Sequence, residues 1–215
     1  QVDGYTRLPL PPAEDLDTSF RYTTNKERVH VLEGCLVTWT RQIKVVLKQD
    51  PEQLLKRGEN PGPLSEIQFW RQQSTDLNAI FRQLQGEQVR AVLQHLDTAK
   101  STYNMPFAKL CKEVFGARAE ANDNLRYLRP LETYFEQLET SSLEKLPELF
   151  RPITHMLLLV WKNSRFYNTP NRLVVMVREI CNELIKHAID YINGDMIFSF
   201  IEDEEAHRAR DMIKT

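Results

Sequence analysis

The chain has 215 residues, 41% hydrophobic and 27% charged, with 28 Lys plus Arg against 30 Asp plus Glu and a formal net charge of −2. This balance disfavours a grip on nucleic acid or an acidic membrane, which calls for a basic excess. Seven Gly, about 3% against an average near 7%, leave few places for tight β-turns, so the composition points to long helices rather than a sandwich or barrel. Residues 1–23 read as an extended leader centred on Leu8-Pro9-Leu10-Pro11-Pro12, because Pro lacks an amide donor and pushes the preceding residue out of the helical region. Such a leader either lies along a neighbouring surface or serves as a linker.

Helical patterning begins at a capping box, Thr24-Asn25-Lys26-Glu27. Val29, Leu32, Leu36, Trp39, Ile43 and Val46 then form one stripe on a helix of about 24 residues. Asp50-Pro51 opens a short turn ending at Gly58, and Asn60-Pro61-Gly62-Pro63 makes a sharp corner. The next helix, from Pro63 to Leu84, carries Leu64, Ile67, Trp70, Leu77, Phe81 and Leu84 on one face, with Ser74 at the skipped position. Phe69 and Ile80 lie on a second face, which another helix or a partner must cover.

Further helices are predicted over 87–103, 106–128 and 130–140. Another starts at a second capping box, Ser141-Ser142-Leu143-Glu144, and reaches Ser164, with Pro147 and Pro152 predicting a kink or break. Thr169 as N-cap and Pro170 at the first position open a helix running to Asn193 and closed by Gly194. That helix is apolar almost all round at 173–177, which assigns it to the middle of a bundle. A last helix from 198 carries the acidic run Glu202-Asp203-Glu204-Glu205. The expected architecture is all-α, an elongated antiparallel bundle of about eight or nine helices. Its parts are the leader 1–23, the helical bundle 24–198 and an acidic helix 199–215 continuing towards a following segment. The absence of an initiator Met suggests a piece of a longer chain or a processed one. The longest apolar run, Met156 to Trp161, is six residues against roughly 20 for a membrane span. No secretory signal is evident. Cys35, Cys111 and Cys181, odd in number and widely spaced, fit free thiols in a reducing, intracellular compartment.

Chemistry-bearing patterns are sparse. Gly58 and Gly62 are followed by Pro63 with no Lys, so there is no phosphate-cradling loop. Two Glu-x-x-His motifs, Glu27 to His30 and Glu204 to His207, suggest half of a bundle di-iron site, but His207 lies in a charge-dense run and no Glu stands on an otherwise apolar face of the middle helices. Cys35 and Cys181 sit in helix interiors among apolar neighbours and Cys111 within a predicted helix, away from the settings that lower a thiol pKa. Glu183 and His187 read as a helix-surface pair, His155 as a core-edge residue, and Trp39, Trp70 and Trp161 as core anchors. The expectation is no catalytic residue, no metal and no cofactor in this segment.

Two stretches go beyond generic helix. Gly58-Glu59-Asn60-Pro61-Gly62-Pro63 leads into Leu64-Ser65-Glu66-Ile67-Gln68-Phe69-Trp70-Arg71 and on to Asp76-Leu77, and Val160-Trp161-Lys162-Asn163-Ser164-Arg165-Phe166-Tyr167-Asn168-Thr169 is followed by Arg172-Leu173. With Val29-His30-Val31-Leu32-Glu33 and Trp39-Thr40-Arg41-Gln42-Ile43, they resemble the first N-terminal tail region of axonemal dynein heavy chains, over about residues 24–205. Arg178-Glu179-Ile180-Cys181-Asn182 leans towards the outer-arm beta type. The resemblance implies a non-catalytic helical stem that joins heavy chains to one another and to intermediate and light chains, seating the arm on ciliary doublet microtubules. It places the chain in the cytoskeleton of the cilium or flagellum, with arm-docking proteins as further partners and ATP bound only in the motor region of a longer chain. Phe69, Arg71, Ile80, Phe166, Tyr167 and Arg172 are the candidate partner contacts, since interfaces favour aromatics and Arg. An unrelated helical adaptor and a metal-binding bundle enzyme are the competing readings.

Overall fold

Asn25 opens α1 (Lys26–Leu47): its backbone is still extended, and its side-chain oxygen accepts the Glu27 amide at 3.0 Å. The N-cap is therefore Asn25 rather than the expected Thr24. In the computed structural model the described residues are Gly4, 6–12, 25–53, Arg57, 59–192 and Glu204. The α1 stripe is buried at Leu32, Leu36, Trp39, Ile43 and Val46, and Val29 packs against it part-buried.

The remaining elements are α2 (Pro63–Leu84), α3 (Glu87–Thr98), α4 (Asn104–Leu128), α5 (Glu132–Thr140), α6 (Leu146–Asn163) and α7 (Pro170–Tyr191), with 3-10 turns at Arg129–Leu131 and Leu143–Lys145. The all-α expectation holds. Seven α-helices stand among the described residues, and the predicted acidic helix from 198 lies outside them apart from Glu204, which is helical. Helix α2 is the hub, with its longest packing seam against α4 and further contacts to α1, α3, α5 and α7. Ser74, the polar step in its stripe, is explained there: its hydroxyl donates to Asn122 Oδ1 of α4 at 2.7 Å, and Asn78 donates to the same oxygen at 2.9 Å. A buried polar position survives in a helix seam when it is hydrogen-bonded across it.

Helix α3 stops at Thr98, short of the expected 103. Lys100 adopts a positive φ of 55°, which lets the Ser101 amide donate back to the Leu96 carbonyl at 2.9 Å and the Lys100 amide to Asp97 at 3.0 Å. This is the reversal that usually recruits Gly, so a non-Gly sequence hides it. The second predicted capping box is not a helix start either: Ser142 precedes a 3-10 turn, and α6 begins at Leu146 with Pro147 in its first turn. Pro147 costs no hydrogen bond there, and the helix continues through Pro152. Helix α6 is tied to α4 at its end, where Asp123 Oδ2 accepts the Ser164 hydroxyl at 2.9 Å and the Arg165 amide at 3.0 Å. Trp39 meets Phe107 of α4 with ring centroids 5.9 Å apart. Trp39 and Trp70 are buried, while Trp161 is only half-buried and His155 is exposed. No helix among the described residues is long and apolar enough to cross a membrane.

Candidate interaction face on helix α7

Helix α7 sits on the bundle by a mixed polar and apolar side. Val175, Met176, Glu179, Ile180 and Glu183 are its buried residues. At 100° per residue, Val174, Val177, Cys181, Ile185, Ile189 and Ile192 fall on the opposite side at steps of three and four. All six are exposed: Val177 by 45%, Ile185 by 56% and Ile189 by 65%. The expectation that this helix runs through the middle of a bundle is thus corrected, because its surplus apolar residues line the outer face. Cys181, expected among apolar core neighbours, is an exposed thiol within that stripe.

The inner face explains why α7 does not turn round. Ser164 Oγ accepts the Tyr167 amide at 2.8 Å, and the resulting turn drives Tyr167 fully into the interior. There its hydroxyl donates to Glu66 Oε1 of α2 at 2.8 Å, and the Trp70 indole donates to the same oxygen at 3.4 Å. Glu66 is 2% exposed and Glu179 1% exposed. Two carboxylates buried against each other cannot both ionise. Burial raises the Glu66 pKa, and burial followed by the Glu66 charge pushes Glu179 up to about 10. Glu179 is therefore neutral at pH 7 and donates its proton to Glu66. Burial, and then the Glu66 charge, also holds the Tyr167 phenol well above its usual value, so it stays a donor. Arg172 completes the cluster, stacked 4.6 Å over the Trp70 ring and ion-paired with Glu120 of α4.

A second acidic pair flanks the Asn-Pro-Gly-Pro corner. A Cβ on Gly62 would lie 2.9 Å from Glu183 Oε2 and 3.2 Å from Glu139 Oε1, so with Gly there both carboxylates close on the α2 N-terminus, where the helix dipole favours negative charge, and a larger residue would make them shift. Asn182 Nδ2 donates to the Pro61 carbonyl at 3.1 Å. Lys186 Nζ donates to Glu183 Oε1 at 2.9 Å, and that bond raises the Lys186 pKa. Glu183 and His187, expected as a surface pair, are instead turned inward: Glu183 is buried, and His187 Nε2 lies 2.6 Å from the Leu138 carbonyl, which it serves as donor. Among the described residues no group of three or more His, Cys, Asp or Glu is arranged to hold a metal ion.

The sequence-chosen contact residues mostly serve the bundle itself. Ile80 and Tyr167 are buried and offer no surface: Ile80 lies on the second apolar face of α2, covered within the chain, and Tyr167 is carried inside by its turn. Phe69 is half-buried and edge-on to Trp70, with centroids 5.1 Å apart. Arg71 is exposed, and its Nη2 donates to both carboxylate oxygens of Glu132 of α5, at 2.6 and 2.7 Å. Arg172 is occupied by Glu120 and Trp70, and half-buried Phe166 lies under Arg165, 5.3 Å from its guanidinium. The face reasoning missed is Val174 to Ile192. Its signal was present in the three-and-four spacing, masked by the apolar residues on the other side of the same helix.

Residues 29–215 match the family model for the dynein heavy chain, N-terminal region 1. The chain belongs to the dynein heavy-chain family. It is 41% identical over 217 residues to the flagellar outer-arm dynein beta chain of Chlamydomonas reinhardtii, which covers 98% of this chain and 5% of that one. It is 35% identical over 220 residues to the ciliary dynein beta chain of Tripneustes gratilla, and 34% over 213 residues to human dynein axonemal heavy chain 9, again spanning 5% of each. The two motifs that carried the resemblance now have structural roles in this dynein heavy-chain region. Asn60 to Pro63 forms the corner that Asn182, Glu183 and Glu139 close upon, and Ser164 to Thr169 delivers Tyr167 to Glu66.

Proposed function

We propose that this chain is a non-catalytic tail segment of an axonemal dynein heavy chain, a scaffold that associates with other heavy chains and with intermediate and light chains to anchor the motor on ciliary doublet microtubules. The reading is supported by the match to the N-terminal region of the dynein heavy chain and by relatives named as ciliary, flagellar and axonemal dyneins. The observation that carries the scaffold role is the exposed aliphatic stripe of α7, since an apolar face rimmed by polar residues marks a contact surface. In this reading, ATP binding and microtubule stepping belong to other regions of a heavy chain about twenty times as long, and the chain works in the axoneme. The test is a full heavy chain carrying Val177→Asp and Ile185→Asp, expressed in ciliated cells. Both positions are exposed, so the fold is retained, and the expected result is an arm that fails to co-purify its other chains. Normal arm composition with these substitutions would refute the scaffold role of this face.

A further inference from the structure

The described part of the leader lies against α1 and α2. Its apolar residues are not idle: Leu8 is 6% exposed and Pro11 is buried. The Trp39 indole N–H, deep in α1, donates to the Pro9 carbonyl at 2.7 Å. One side chain of α2, Gln83, holds the backbone on both sides of Arg7. Its Oε1 accepts the Leu8 amide at 2.8 Å, and its Nε2 donates to the carbonyls of Gly4 at 3.1 Å and Thr6 at 3.4 Å. A cavity of about 530 Å³, lined by Leu8, Leu10, Gln83, Gly86 and Val89, continues beside the strap towards the start of α3.

A buried indole N–H on a carbonyl, an amide clamp on main-chain groups and burial of apolar side chains three residues apart, as at Leu8 and Pro11, are the chemistry by which proteins read extended, proline-rich segments. Such segments suit it because Pro pre-sets the backbone and little ordering entropy remains to be lost. We propose that the groove formed by Trp39, Gln83 and the α2–α3 corner is a binding site for Leu-Pro-x-Pro segments, occupied in cis by residues 8–11 and open to a proline-rich segment supplied in trans when the leader is displaced. The leader is covalently attached and so competes intramolecularly with any segment supplied in trans, which keeps the site closed by default. This inference is independent of the scaffold reading of α7, which involves the opposite end of the described chain.

The test uses the full heavy chain with residues 1–12 deleted and a fluorescent peptide of residues 6–12, Thr-Arg-Leu-Pro-Leu-Pro-Pro. The peptide should saturate the truncated chain and show at least tenfold weaker binding to the intact one. Trp39→Phe, which removes the N–H and keeps a ring, should weaken binding about tenfold, the effect of one lost hydrogen bond. A truncated chain with an unchanged far-UV spectrum that does not bind the peptide at millimolar concentration would overturn the proposal. Should truncation unfold the chain, the intact one gives a second reading: Gln83→Leu should speed tryptic cleavage after Arg7 several-fold. An unchanged cleavage rate would equally overturn it.

Discussion

The Glu66–Glu179 pair makes a quantitative prediction about pH. Glu179 keeps its proton in the folded chain up to about pH 10, whereas an unfolded carboxyl releases it near 4.5. Between those values the native state binds more protons than the unfolded one, so stability falls as pH rises, at up to about 1.4 kcal/mol per pH unit for one whole proton. Below pH 4.5 both states are protonated and the cost vanishes. From pH 5 to pH 8 the pair should therefore cost about 2 to 4 kcal/mol, with Glu66 sharing part of the penalty. Glu179→Gln keeps the shape and replaces the shared proton with an amide N–H donor to Glu66. It should flatten the pH profile, leave stability near pH 5 almost unchanged and raise it at pH 8 by about 2 kcal/mol or more. Urea unfolding followed by circular dichroism at pH 5, 6, 7 and 8 measures this. Parallel profiles for the two chains would show that the carboxyls do not share a proton, and the account of how α7 is seated would fail.

Three further perturbations follow from the packing. Tyr167→Phe leaves Glu66 with one donor fewer in a buried site and should destabilise the chain by about 1 to 3 kcal/mol in the same urea assay. Leu36→Ala removes a fully buried side chain from the α1 stripe and should cost about 2 to 5 kcal/mol, read as a lower denaturation midpoint. Arg71→Ala breaks a solvent-exposed pair with Glu132 and should leave the urea denaturation midpoint nearly unchanged.

Much of the helical layout is legible from periodicity alone. The α1 stripe, the Pro63 start of α2 and the Pro170 start of α7 follow from apolar spacing and from Pro at a position where a missing N–H costs nothing. The boundaries that escape are those set by tertiary context. Lys100 takes a backbone reversal usually given to Gly, and Asn25 rather than Thr24 caps α1 because the chain is still extended there. The inside and outside of α7 are illegible for a related reason. Its inner side carries Glu179 and Glu183, which hydropathy assigns to solvent, and its outer side carries Val177, Ile185 and Ile189, which hydropathy assigns to the core. Only knowledge that Glu66, Tyr167 and the Gly62 corner wait on the facing surface reverses that assignment. Glu66 itself reads as a routine acidic residue in the first turn of a helix, and nothing local marks it as the buried acceptor of a Tyr on a turn 101 residues away.

If partners cover the outer face of α7 in the assembled arm, as proposed, Cys181 in the middle of that face is a natural probe of it. The direct measurement is the rate of iodoacetamide labelling of Cys181 in the isolated chain and in the intact arm. Cys111, which is half-buried and whose thiol is raised by burial, serves as the internal reference. Cys181 should label rapidly in the isolated chain and at least tenfold more slowly in the arm, with Cys111 slow in both. Equal Cys181 rates in the two states would contradict the proposed cover.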